Sequence, residues 1–186
     1  AIGIAGSCST NANGVCGGNP GLLENITAVI GQNPDVVLLN VGTNDFWNWT
    51  GPLADGATKP EDPENVPAIV ERIGKIVDAI FAANPDSLVL MTHPGEKEIY
   101  PRTTTFKTEL TRMAAEKSAE GKFSGYVDAY AGMDKNVDFQ PNASATGGDN
   151  VHITAAGAAK MATNWGNGIV AYIDSIGEPT PTLEPT

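Results

Sequence analysis

Four short apolar runs, at residues 2–5, 36–41, 88–91 and 126–129, stand out from an otherwise mixed sequence. They are continuous rather than alternating, the pattern of strands buried on both faces of a parallel sheet. Between and after them, apolar residues recur at three- and four-residue steps. In the segment 66–83, Ile69, Ile73, Ile76, Val77 and Ile80 fall on one helical face. Segment 22–30 follows a Gly/Pro turn, and 106–117 and 155–173 complete the expected helices. Strands alternating with helices predict an α/β fold, a three-layer α/β/α sandwich with helices on both faces of a parallel sheet.

In such sheets a ligand sits beyond the carboxyl ends of the strands. Gly42-Thr43-Asn44-Asp45 follows the run at 36–41 directly and so belongs to that rim. Asp149-Asn150-Val151-His152 belongs to the loop before the last helix, where Thr154 is a candidate N-cap and Gly157 falls in the first turn. The two segments are distant in sequence, and the fold can bring them together.

Composition narrows the class. With 186 residues and 41% apolar content, the chain is expected to form one domain over 1–176. The closing stretch 177–186 is too rich in proline for a helix or central strand and is expected to be a linker or tail, of the kind that leads to an appended module. A formal charge of −11, from 11 basic and 22 acidic residues, argues against nucleic-acid or anionic-membrane partners. No apolar run approaches the roughly 18 residues of a membrane span, and any signal peptide is expected to have been removed already. Cys8 and Cys16 lie in a Gly/Asn/Ser-rich segment that suits a short disulfide loop. Three N-glycosylation sequons, at Asn25, Asn48 and Asn142, point the same way, to a secreted, extracellular protein.

The candidate chemistry lies in the two rim segments. A histidine oriented by a carboxylate takes the proton from a hydroxyl nucleophile, and amide donors steady the oxyanion that forms. Asp149, three residues before His152, is placed to reach one ring nitrogen and fix the tautomer, although Asp-x-x-His alone is a weak signal. The other histidine, His93, lies just past a strand end. Asn44 is either the cap of a turn or an oxyanion donor; Gly21 is either part of a plain strand-to-helix turn or a backbone donor at a helix N-terminus. Trp47 and Trp49 either pack a surface loop or form a platform for a sugar ring.

Gly42-Thr43-Asn44-Asp45 and Asp149-Asn150-Val151-His152, with Gly157 and Met161 following, resemble the third and fifth blocks of the SGNH (GDSL-type) hydrolases. Within that superfamily the chain most resembles the acetylxylan esterase-like group, carbohydrate esterase family 3. Ile4-Ala5-Gly6-Ser7 is similar to that group's second strand and Gly18-Asn19-Pro20-Gly21 to its second block. The resemblance implies a flavodoxin-like sheet of order 2-1-3-4-5, no metal or organic cofactor, and ester hydrolysis by acyl transfer through serine. Carried onto this chain, Asp149 orients His152, His152 serves as general base and then acid, and Asn44 and Gly21 donate to the oxyanion.

The resemblance lacks its first block: Gly-Asp-Ser occurs nowhere in the 186 residues, and the nucleophile is unassigned. In one reading, residue 1 begins at the second strand, and the first strand, nucleophile and first helix are absent from this chain. In the other, 2–5 is the first strand and Ser7 or Ser9 is a degenerate nucleophile. The residues after Ser9 are poor helix formers without apolar periodicity, unlike the helix that normally follows a nucleophile turn, and this favours the first reading. Two functions are therefore expected to compete. One is a secreted esterase that deacetylates a plant polysaccharide such as xylan; the other is a non-catalytic carbohydrate-binding protein that keeps the fold.

Overall fold

The computed structural model describes residues 21–23, 25–43, 65–95, 103–140 and 152–177. In chain order the elements are α1 (Ile26–Ile30), β1 (Val36–Asn40), α2 (Asn65–Ala83), β2 (Leu88–Thr92), α3 (Thr103–Ala119), β3 (Ser124–Tyr126) and α4 (Ala155–Gly177). The strands form a parallel sheet of order β1-β2-β3, with Val36 opposite Leu88 and Val89 opposite Ser124. This is the 3-4-5 end of the expected strand order. The expected strand at 2–5, with Cys8, Cys16, Ser7 and Ser9, lies outside the described residues.

Strand β2 shows why its sequence is apolar throughout. All five of its residues are buried, because alternate side chains feed two different cores. Val89 and Met91 join Leu39 in a core built with Ile26 of α1, the isoleucine face of α2, and Phe106, Leu110 and Met113 of α3. Leu88 and Leu90 point the other way, to Trp165 of α4, Phe139 and Tyr130. Helices α1 to α3 thus cover one face and α4 the other, giving the three layers. Ile69, Ile73, Ile76, Val77 and Ile80 of α2 are essentially inaccessible. Burying each stabilises the fold by about 1.5–3 kcal/mol before entropy is subtracted.

The start of the sheet is fixed by one carbonyl. Pro34 O accepts from Ser87 Oγ at 2.7 Å and from Asn84 Nδ2 at 3.2 Å, so the turn that ends α2 is tied to the residue that leads into β1. Leu88 N then donates to Asp35 O at 2.8 Å, which sets the parallel register. On the α4 side of β1, Val36 and Leu38 remain 44% and 43% exposed, and α4 also leaves Val170, Ile173 and Ile176 open. Among the described residues, no helix is long and apolar enough to cross a membrane.

Two elements differ from the sequence expectation in position. The last strand spans Ser124–Tyr126 and not 126–129, because the chain leaves the ladder after Tyr126. Val127 N still donates to Met91 O, but Ala129 N turns back to Val127 O and to Thr92 Oγ1. The apolar residues Val127 and Ala129 pack into the α4-side core instead of extending the strand. Helix α1 begins at Ile26 and not at Leu22. Asn25 closes a turn on Leu22 O and sends its side-chain Nδ2 to Gly21 O at 3.1 Å, an asparagine competing locally with helical backbone bonds.

Candidate active site

The described part of the rim has two halves, one after β1 and one before α4. Beyond Asn40, Val41 and Gly42 are buried, and Gly42 has φ 118°, a conformation closed to side-chain-bearing residues without strain. A Cβ there would also stand 3.0 Å from Pro94 and 3.3 Å from Phe106. The glycine of Gly42-Thr43-Asn44-Asp45 is therefore required by the path of the backbone where it leaves the sheet. Asn44, Trp47 and Trp49 lie outside the described residues.

The second half is built on a clamp. Residues 139 and 153 form an antiparallel bridge; Gln140 N donates to His152 O, and Thr154 N donates to Asp138 O, each at 2.8 Å. The clamp fixes the His152 backbone and leaves the residue exposed. Thr154 caps α4 as its position suggested: its Oγ1 accepts from Gly157 N at 3.2 Å and donates to Val137 O at 3.0 Å. Asp149, expected from sequence to pair with His152, lies outside the described residues.

Asp138 anchors the clamp from below. Its Oδ2 accepts from Lys160 Nζ of α4 at 2.6 Å and from Asp134 N at 2.7 Å. Lys160, followed by the Asp134 N–H, holds the carboxyl below its ordinary value. Asp138 is closed to solvent, and desolvation opposes this less strongly than its hydrogen bonds favour it. Nothing in the sequence marks Asp138 and Lys160 as partners; an acidic and a basic residue at that separation carry no pattern.

Between the two halves lies a polar and aromatic cluster at the ends of β2 and β3. His93 is fully buried; its Nδ1 shares a 2.8 Å hydrogen bond with the Tyr126 hydroxyl, and its Nε2 lies 3.9 Å from Asp128. Lys107 of α3 donates to the other Asp128 oxygen at 2.8 Å. Tyr130 stacks on Phe139 with ring centroids 6.2 Å apart and planes 10° apart, and its hydroxyl accepts from Asn40 Nδ2 at 2.8 Å. Burial pushes that hydroxyl's pKa up, against the lowering effect of Asn40 and the Gly95 backbone. His93 is thus a structural histidine, whereas His152 stands at the surface.

Gly21, expected to donate to an oxyanion, is buried where the chain enters the turn before α1. Its carbonyl accepts from both the backbone and the side chain of Asn25. It therefore precedes a turn and does not stand at the helix N-terminus. Asn25 is also the acceptor residue of the first sequon, and its side-chain nitrogen is already engaged and half-buried. Among the described residues, no group of three or more His, Cys, Asp and Glu is arranged to hold a metal ion.

The sequence profile described as "GDSL-like Lipase/Acylhydrolase family" matches residues 1–160, a span that includes both rim segments. No curated protein matches the chain significantly. Among solved structures, the chain is similar to a family 3 carbohydrate esterase of Clostridium thermocellum, with TM-score 0.58 and 19% identity over 84% of this chain and 67% of the other. It is also similar to a family 3 carbohydrate esterase of Talaromyces cellulolyticus, with TM-score 0.57 and 18% identity over 81% of this chain and 65% of the other. A third similar structure is a family two carbohydrate esterase of Clostridium thermocellum in complex with cellohexaose, with TM-score 0.53 and 17% identity over 76% of this chain and 37% of the other. The chain thus spans about two thirds of the length of the family 3 structures and much less of the family two structure. At these identities the likeness is one of fold.

Proposed function

Because the chain belongs to the GDSL-like lipase/acylhydrolase family, we propose that it serves the hydrolysis of a carbohydrate ester, the removal of acetyl groups from a plant polysaccharide such as xylan. The observation that carries this reading is the clamp before α4, which fixes the His152 backbone through Gln140 and leaves the residue exposed at the sheet's rim. A general base must be held in place and still reach the reacting hydroxyl.

In this reading Asp149 orients His152, and His152 accepts the proton of a hydroxyl nucleophile as its oxygen bonds to the acyl carbon. Negative charge gathers on the carbonyl oxygen, where Asn44 and the Gly21 backbone donate. The tetrahedral species expels the sugar hydroxyl, which takes the proton from His152; water then repeats the sequence and releases acetate. Trp47 and Trp49 offer a stacking platform for the sugar. The nucleophile carries no assignment. An acidic protein of this kind suits a neutral polysaccharide outside the cell, and we include secretion, a Cys8–Cys16 pairing and an appended module after 177–186 in the proposal.

The protein should hydrolyse a chromogenic acetate ester and release acetate from acetylated xylan. His152→Ala should lower turnover by about three orders of magnitude or more; unchanged turnover would overturn the assignment. A second reading, motivated by the absence of Gly-Asp-Ser from these residues, is a carbohydrate-binding protein without turnover. Binding of acetylated oligosaccharide with no ester cleavage at any pH would select it.

A further inference from the structure

Tyr130 touches both halves of the rim at once. Its hydroxyl accepts from Asn40, the last residue of β1 and two residues before the left-handed Gly42. Its ring stacks on Phe139, whose backbone is bridged to Ile153 beside His152. The space between is filled: a Cβ on Gly95 would meet Phe139 and Tyr130 ring carbons at 3.1 Å each. The His93 ring lies 5.4 Å from that of Tyr130 and tilted by 54°, so the tyrosine is packed on this side as well.

A phenylalanine would serve the packing alone. A buried tyrosine hydroxyl needs polar partners, and here, beside the Gly95 backbone, the side-chain partner comes from the end of a strand belonging to the opposite half of the rim. We propose that Tyr130 is a positioning residue: through its Asn40 hydrogen bond and its stack on Phe139 it holds the exit of β1 and the His152 clamp in one relative geometry. Its catalytic consequence rests on the esterase reading, whereas the linkage itself does not. Each route is short, because one side chain spans the gap and both ends are tied to backbone that is itself hydrogen-bonded.

The test uses the full chain with Tyr130→Phe, Asn40→Ala and the double variant. NMR follows the His152 ring resonances through a pH titration, together with the Gly42 and Ile153 amides. Asn40→Ala is expected to shift the Ile153 amide and the His152 ring signals, although Asn40 lies on the other half. In the Tyr130→Phe background the same substitution should no longer do so, the non-additivity that marks a coupled pair. Asn40→Ala effects confined to β1 and β2, or fully additive effects, would overturn the proposal. If Tyr130→Phe does not fold, Asn40→Ala and Asn40→Gln decide it on the same resonances. In the active protein, either single substitution should lower kcat about tenfold with KM within about twofold, and displace the acid limb of the pH profile. Coupled resonances in a protein that cleaves no ester would leave the linkage standing and remove the esterase reading.

Discussion

Gly157 lies so close to Asp138 that a Cβ on it would overlap the Asp138 carbonyl oxygen. That carbonyl also accepts the Thr154 amide, so the first turn of α4 is seated directly on the strand-like segment that pairs with the residues after His152. Gly157→Ala must therefore move α4 or break the clamp. It should destabilise the chain by about 1–3 kcal/mol, read as a lowered urea midpoint. A midpoint equal to that of the parent would show that the contact does not exist.

Asp138 gives the clamp an acid limit. Its carboxyl is held below the ordinary 3.8, Lys160 being the largest cause, so its contribution is fully present above the unfolded-state value. It fades as pH falls through the lower folded-state value. Asp138→Asn should be less stable than the parent at pH 7, with the gap closing below about pH 4. Urea denaturation at a series of pH values checks this; a gap that stays constant into acid would refute it.

Gly42→Ala places a side chain in a left-handed conformation and against Pro94. The expected cost is about 1–3 kcal/mol. Because the displaced backbone leads straight into the rim, the proposed esterase function implies that turnover should fall further than stability explains. Comparing kcat at a temperature where parent and variant are both fully folded separates the two effects.

Tyr130 should ionise late. Burial raises its pKa above the ordinary 10.0, so the folded state prefers the neutral phenol. Stability is then unaffected by this group up to the unfolded-state value and is lost as pH climbs beyond it. Absorbance titration at alkaline pH should show a delayed phase that Tyr130→Phe abolishes, and that variant should lose less stability between about pH 10 and 11.

Much of the fold is legible in the sequence because burial on two faces leaves a plain mark. The run at 88–91 is continuous since Val89 and Leu90 serve different cores, and the isoleucine spacing of α2 follows from one helix face meeting one sheet face. The last strand was displaced because Val127 and Ala129 are apolar for a different reason, packing against α4-side residues after leaving the ladder. At the site, Thr154 and Gly157 were readable from local helix-start chemistry. Asn40, Tyr130, Phe139, Asp138 and Lys160 were not, because each acquires its role from a neighbour brought close only by the folded chain.

The pairing of Val36 with Leu88 also governs how the molecule comes to be folded. A parallel ladder cannot zip from a tight turn; β1 must wait until α2 has formed, crossed the sheet and returned the chain at Pro34 and Ser87. During synthesis β1 therefore leaves the ribosome long before its partner. Core substitutions in α2 such as Ile73→Ala should slow refolding itself, whereas changes at the late-arriving α4 should act mainly by hastening unfolding.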